Sequence, residues 1–252
     1  MSFERYVALG DSTTEGLEDP YPDGSYRGWA DRLAAYLAVE NPGLGYANLA
    51  IRGRKLGQIR SEQLEPALAL EPDLATVLGG LNDIIRPAVD LGDIGADFDA
   101  IVAALRETGA TVVVMTYPDP TTVISVATGR IRSRVNGFNA IIRAVAAERG
   151  AVLVDLDDDG VANPRYWSAD RLHANPLGHE RMAAAAAAAL GADPGAGWDA
   201  KLPRPPAPPA PLRIARDAAW IGRHLSPWLL RRLRGRSSGD GRDPKRPGLE
   251  PV

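Results

Sequence analysis

The chain has 252 residues, of which 45% are hydrophobic, with 29 Lys+Arg against 32 Asp+Glu and no cysteine. That size and hydrophobic fraction suit one sizeable globular domain with extensions, and the lack of cysteine excludes disulfides and thiolate metal sites. No apolar run approaches the ~20 residues of a membrane span, and no basic segment precedes a long apolar one at the N-terminus; the sequence reads as that of a cytoplasmic protein.

The apolar run Tyr6-Val7-Ala8-Leu9 predicts a short buried strand, which hands over to Gly10-Asp11-Ser12-Thr13-Thr14-Glu15-Gly16. Ser12 therefore falls where a first parallel strand turns into a loop and helix, its Oγ above the carboxyl edge of the sheet and near backbone N–H groups at a helix start. Glu18 to Gly28, rich in Pro, Gly, Asp and Tyr, is expected to be a surface loop beside it. Trp29, Leu33, Tyr36 and Leu37 then repeat at helical spacing until Asn41-Pro42-Gly43. A second strand is expected at Tyr46 to Ala50, a loop through Gly53, a helix from about Leu56 to Leu70, and a third strand at Leu74 to Leu78 ending in Gly79-Gly80-Leu81-Asn82-Asp83.

A helix containing Phe98, Ile101, Val102 and Leu105 precedes Thr111-Val112-Val113-Val114-Met115, whose β-branched run is that of a strand covered on both faces. A loop from Tyr117 to Arg130, a helix from about Ile131 to Arg149, a strand at Val152 to Asp155 and a helix from Pro176 to Leu190 complete the body. This alternation implies an α/β fold, a parallel sheet with helices on both faces and right-handed crossovers, with functional loops at the carboxyl ends of the strands.

The tail differs in kind. Residues 1–200 carry 17 Lys+Arg against 28 Asp+Glu, a net −11, whereas residues 201–252 carry 12 against 4, a net +8. Leu202 to Pro211 is expected to be an extended polyproline II spacer. Ile214, Ala218, Ile221, Leu225 and Trp228 then repeat at helical spacing, flanked by Arg213, Arg216, Arg223, Arg231, Arg232 and Arg234. Gly235 to Val252 is expected to be disordered. The division expected is thus a catalytic domain over 1–198 and a tail over 199–252. Docking of the basic helix on the acidic body or on a second copy is favoured by charge over an anionic membrane surface, and that over nucleic acid.

Ser12, Gly53, Asn82 and Asp170-Arg171-Leu172-His173 lie at strand-end loops or in the loop leading to the last helix. A serine hydroxyl needs a base, and the three-residue step from Asp170 to His173 lets one loop present both side chains: a carboxylate on Nδ1, with Nε2 left to take the Ser12 proton. Each piece alone has an ordinary explanation. Asp11 or Ser12 would cap a helix, Gly53 would be a turn glycine, Asn82-Asp83 another cap, and His173 a surface histidine. His179 is read as structural, holding the His173 loop. Asp157-Asp158-Asp159 is read as a surface turn and not a metal site.

Together, in this order, the blocks Gly10-Asp11-Ser12, Gly53, Gly80-Leu81-Asn82-Asp83 and Asp170 to His173 resemble those of the SGNH-hydrolase family, the GDSL-type esterases and lipases, over roughly residues 5 to 190. Thr13 stands where that family's name-giving leucine does, and Ala174 follows His173 in place of a frequent proline; neither touches a reacting atom. The resemblance implies a three-layer α/β/α, flavodoxin-like sheet of about five strands and a cofactor-free serine esterase. Ser12 would be the nucleophile, His173 the base and Asp170 its partner, and the N–H groups of Ser12 and Gly53 with the Asn82 side chain would form the oxyanion hole, without a metal. The expected partner is a small-molecule ester. The mixed composition of the loops Glu18 to Gly28, Ile84 to Gly95 and Tyr117 to Arg130 favours short acyl groups, with lysophospholipid or thioester cleavage as alternatives. A two-metal phosphoesterase is disfavoured by the count of three histidines, and a non-catalytic binding module is the remaining alternative.

Overall fold

Runs of apolar residues buried on both faces build the sheet. In the computed structural model, which describes residues 2–157 and 162–252, these are β1 (Arg5–Gly10), β2 (Gly45–Asn48), β3 (Leu74–Leu78), β4 (Thr111–Met115) and β5 (Val152–Val154). All five pair in parallel, in the order β5-β4-β3-β1-β2. Val7, Ala8, Leu9, Leu74, Val112, Val113 and Val114 are buried, which is why these strands lack the alternation of a half-exposed sheet. Tyr6 and Tyr46 stack at 4.9 Å across the β1–β2 pair, and the Tyr6 hydroxyl meets Thr76 Oγ1 at 3.0 Å on the other side.

Crossover handedness sorts the helices. The chain steps one way from β1 to β2 and the other way from β2 through β5, so right-handed connections place their helices on opposite faces. Accordingly α2 (Gly28–Glu40) packs with α7 (Pro176–Ala189), while α3 (Leu56–Ala69), α5 (Leu91–Glu107) and α6 (Thr128–Arg149) pack in series. Two single-turn helices, α1 (Ser12–Glu15) and α4 (Leu81–Ile84), follow β1 and β3 directly. The reversal of strand order falls between β1 and β3, whose carboxyl ends stay paired while the connections leaving them go to opposite faces, and that is where such folds leave a crevice. Both the fold class and the strand positions read from the sequence are found.

The tail departs from expectation. Helices α8 (Ala210–Trp220) and α9 (Ser226–Leu233) are joined by a π-helical stretch, Ile221–Leu225, into one continuous segment. Beyond it, where disorder was expected, β6 (Arg246–Pro251) pairs antiparallel with β2 and extends the sheet to six strands. Two prolines and a glycine in six residues carry no strand signal, and the order comes from the unpaired edge of β2, which offers N–H and C=O groups to any chain laid along it. Lys245 reinforces the contact: its Nζ meets Asp31 Oδ1 at 2.8 Å and donates to the carbonyls of Tyr26 and Arg27. The Arg246 guanidinium lies 5.2 Å above the Tyr46 ring. Asp158 and Asp159 of the acidic run, and the side chain of Arg232, lie outside the described residues. No described helix is long and apolar enough to cross a membrane.

Candidate active site

Ser12 is the first residue of α1, and Asp11 caps that turn by accepting the Thr13 N–H at 3.2 Å. The capping expected as an ordinary alternative is therefore present, supplied by Asp11. The other Asp11 oxygen accepts from Asn82 Nδ2 at 3.0 Å, so one carboxylate joins the turn after β1 to the turn after β3. Burial pushes the Asp11 carboxyl up to about 6, against the Thr13 N–H, the nearby His173 and the Asn82 amide, which lower it. Asp83 makes a parallel tie: its Oδ2 accepts the Leu56 N–H at 3.1 Å, joining the α4 turn to the start of α3.

Gly53 follows β2 with φ 77°, in the left-handed region that favours glycine. Its neighbour Arg52 forms a buried pair with Glu15, the last residue of α1. Glu15 Oε2 accepts the Arg52 backbone N–H at 2.7 Å, and Oε1 accepts Nε at 2.9 Å. This pair holds the Gly53 loop against the turn that carries Ser12.

From the far end of the chain, the loop before α7 brings Asp170 and His173 up to Ser12. His173 Nε2 lies 2.8 Å from Ser12 Oγ, and His173 Nδ1 lies 2.6 Å from Asp170 Oδ2. Asp170 Oδ1 accepts from Ser168 Oγ at 2.5 Å and from the N–H groups of Leu172 and His173 at 2.9 and 3.0 Å. These donors and His173 outweigh the opposing effect of burial, and hold the Asp170 carboxyl well below the usual carboxylate range. For His173 burial acts downward, but the Asp170 hydrogen bond and charge, with Asp11 and Glu18, outweigh it and hold the imidazole above its ordinary value.

Ser12, Gly53, Asn82, Asp170 and His173 all line one cavity of about 370 Å³. An adjoining apolar recess of about 40 Å³ shares Thr13, Leu81 and Leu172 with it. The expected pocket loops contribute little. Ile85 alone of the Ile84 to Gly95 loop lines the cavity, and neither Glu18 to Gly28 nor Tyr117 to Arg130 supplies a lining residue; Tyr117 and Pro118 line the recess instead. His179 is buried and structural, but holds a different loop from the one expected. Its Nδ1 accepts the Trp29 N–H at 3.1 Å and its Nε2 donates to the Leu17 carbonyl at 2.9 Å, tying α7 to the turn after Ser12. Burial keeps it neutral, lowering its pKa to about 4.

Sequence reasoning favoured docking of the tail on the body or on a second copy, but did not place it beside Ser12. Trp220 Nε1 donates to the Asp170 carbonyl at 2.7 Å, and Asp217 pairs with Arg171 at 2.6 Å. Arg171 itself has φ 60°, unusual outside glycine, at the turn between Asp170 and His173. Arg223, His224, Pro227, Trp228 and Arg231 then line the cavity beside Ser12. Helical spacing announced the helix, but nothing local announced where it would lie.

The GDSL-like Lipase/Acylhydrolase family matches this chain over residues 8–181. An acetylxylan esterase of Geobacillus stearothermophilus is 24% identical over 205 residues, 73% of this chain and 92% of that protein. An α/β hydrolase from the metagenome of Lake Arreo, Spain, superposes with a TM-score of 0.63 at 24% identity, covering 75% of this chain and 95% of that one. The solved acetylxylan esterase of Geobacillus stearothermophilus superposes with a TM-score of 0.63 at 19% identity, covering 76% and 95%. At such identities the structural likeness is one of fold, and the helical tail lies beyond the residues that the family matches.

Proposed function

Because this chain belongs to the GDSL-like Lipase/Acylhydrolase family and is a carboxylic ester hydrolase, we propose that it cleaves short-chain esters through an acyl-enzyme on Ser12. The observation that carries the reading is the continuous relay Asp170–His173–Ser12, with contacts of 2.6 and 2.8 Å. In this mechanism Ser12 Oγ attacks the ester carbonyl carbon as its proton passes to His173 Nε2, and Asp170 stabilises the imidazolium. The carbonyl oxygen becomes an oxyanion facing the N–H groups of Ser12 and Gly53 and the Asn82 amide. Collapse breaks the C–O bond, and His173 returns its proton to the leaving alcohol. Water, deprotonated by the same imidazole, then releases the acid and restores Ser12.

The small size of the apolar recess that adjoins the cavity is in keeping with short acyl groups. The acetylxylan esterase among the relatives is in keeping with this preference. A chain-length series of p-nitrophenyl esters, run beside acetylated sugars, tests it. Activity should be highest at two to four carbons, and a maximum at eight or more would refute the short-acyl preference. Ser12→Ala should abolish turnover and fluorophosphonate labelling; a variant that still turns over would overturn the mechanism.

A further inference from the structure

The cavity beside Ser12 has a wall that the family's matched residues do not include. It is built by the segment from Arg223 to Arg231, together with Ser238, and it is clamped at both ends. On the α8 side, Trp220 and Asp217 hold the Asp170–Arg171 turn, and the Arg171 guanidinium lies 5.1 Å above the Trp220 ring. On the other side, the chain passes so close to the Gly53 loop that a Cβ on Gly239 would lie 2.1 Å from the Arg52 carbonyl oxygen. β6 then anchors the end of the chain to β2.

The charges on this wall are not neutralised. Among the described residues, Arg171 pairs with Asp217, Arg52 with Glu15 and Arg54 with Glu62. The side chains of Arg223 and Arg231 make no ion pair or hydrogen bond among those residues, although both residues line the cavity. The cavity's two carboxylates are engaged elsewhere, Asp11 by Thr13 and Asn82, and Asp170 by His173 and the donors on its Oδ1. Two guanidinium groups thus share a concave site with a nucleophile and have no anionic partner, while Pro227 and Trp228 between them supply apolar surface. Concave sites with excess charge of one sign concentrate ligands of the other, and guanidinium is the side chain best matched to carboxylate and phosphate.

We propose that Arg223 and Arg231 form an anion subsite, and that the preferred substrate is an ester carrying a carboxylate or phosphate group on the part that lies against the C-terminal helix. This rests on the esterase reading above and narrows it to a substrate class. An anion on the acyl part and one on the alcohol part are separated by two matched pairs: p-nitrophenyl monoadipate against p-nitrophenyl hexanoate, and 4-acetoxybenzoate against its methyl ester.

In at least one pair, kcat/KM should favour the anionic member at low salt. The Arg223→Gln/Arg231→Gln variant should lower that ratio roughly tenfold to a hundredfold, the size of charge-assisted hydrogen bonds, whereas Arg223→Lys/Arg231→Lys should retain most of it. The unmodified protein supplies an independent reading, because raising NaCl from about 0.02 to about 0.5 M should erode the same ratio by screening. Equal hydrolysis of both members in both pairs, or a ratio that neither the glutamines nor salt change by more than about twofold, overturns the anion subsite and leaves the esterase standing. Failure to hydrolyse any of the four esters, with Ser12 unlabelled by a fluorophosphonate, overturns the esterase reading and the subsite with it.

Discussion

Asp170→Asn separates the electrostatic role of this carboxylate from its structural one. Oδ1 accepts from Ser168, from the Leu172 N–H and from the His173 N–H, so an asparagine must keep its oxygen there to preserve the loop. Its NH₂ then occupies the Oδ2 position, 2.6 Å from His173 Nδ1, and turns that nitrogen from donor to acceptor. The imidazole proton moves to Nε2 and faces Ser12 Oγ, so the base is blocked while the fold is unchanged. In triads of this type the wrong tautomer costs about 10⁴ in kcat, or about 5 kcal/mol of barrier.

A second signature accompanies the first. In the unmodified protein kcat/KM should rise with pH as His173 loses its proton, with a midpoint above the ordinary ~6.5 of histidine, because the Asp170 interactions outweigh burial. In the variant burial is left less opposed, and the midpoint of the residual activity should move down. Stopped-flow or steady-state kinetics on p-nitrophenyl acetate from pH 5 to 9 reads both effects. A variant within tenfold of the original kcat, or an unmoved midpoint, would refute this account of the relay.

Asn82→Ala should lower kcat about 10²- to 10³-fold by removing one oxyanion donor; a loss confined to KM in p-nitrophenyl acetate kinetics would contradict that role. Glu15→Ala leaves the buried Arg52 unpaired, at a cost of about 3–5 kcal/mol, and urea denaturation showing a loss below about 1 kcal/mol would count against the pair as the lock on the Gly53 loop. His179, with a folded pKa of about 4 against ~6.5 in the unfolded chain, takes up its proton first in the unfolded state. Stability from this residue is complete above about pH 6.5 and is lost as pH falls towards 4, by about 3 kcal/mol. His179→Gln should flatten that part of the urea-denaturation profile, and an unchanged slope would assign the effect to other groups.

The body was legible because its signals are local. β-branched and apolar runs mark β1 to β5, helical repeats and Asn or Gly stops mark the helices, and strands alternating with helices imply a parallel sheet with right-handed crossovers, whose flavodoxin-like form the family resemblance implied. The residues that meet at the cavity were legible for a related reason: each stands at a strand end or in a short loop, where the position along the chain already implies the position above the sheet. Asp170 and His173, three residues apart on one loop, needed no distant information to meet.

Tertiary structure alone decided the contacts between distant segments. Asp11 reaches Asn82 across 71 positions and Glu15 reaches Arg52 across 37, and nothing in the local composition of either partner names the other. The tail is the extreme case. Its amphipathic helix was visible as a helix, but the sequence left it a choice of surfaces, and Arg246 to Pro251 carried no strand pattern at all. Its place was decided by groups the body leaves open, the edge of β2, the Asp170 carbonyl and the carboxylate of Asp31. A local signal records what a segment prefers by itself; where it settles depends on which unsatisfied hydrogen bonds and charges the rest of the folded chain presents to it.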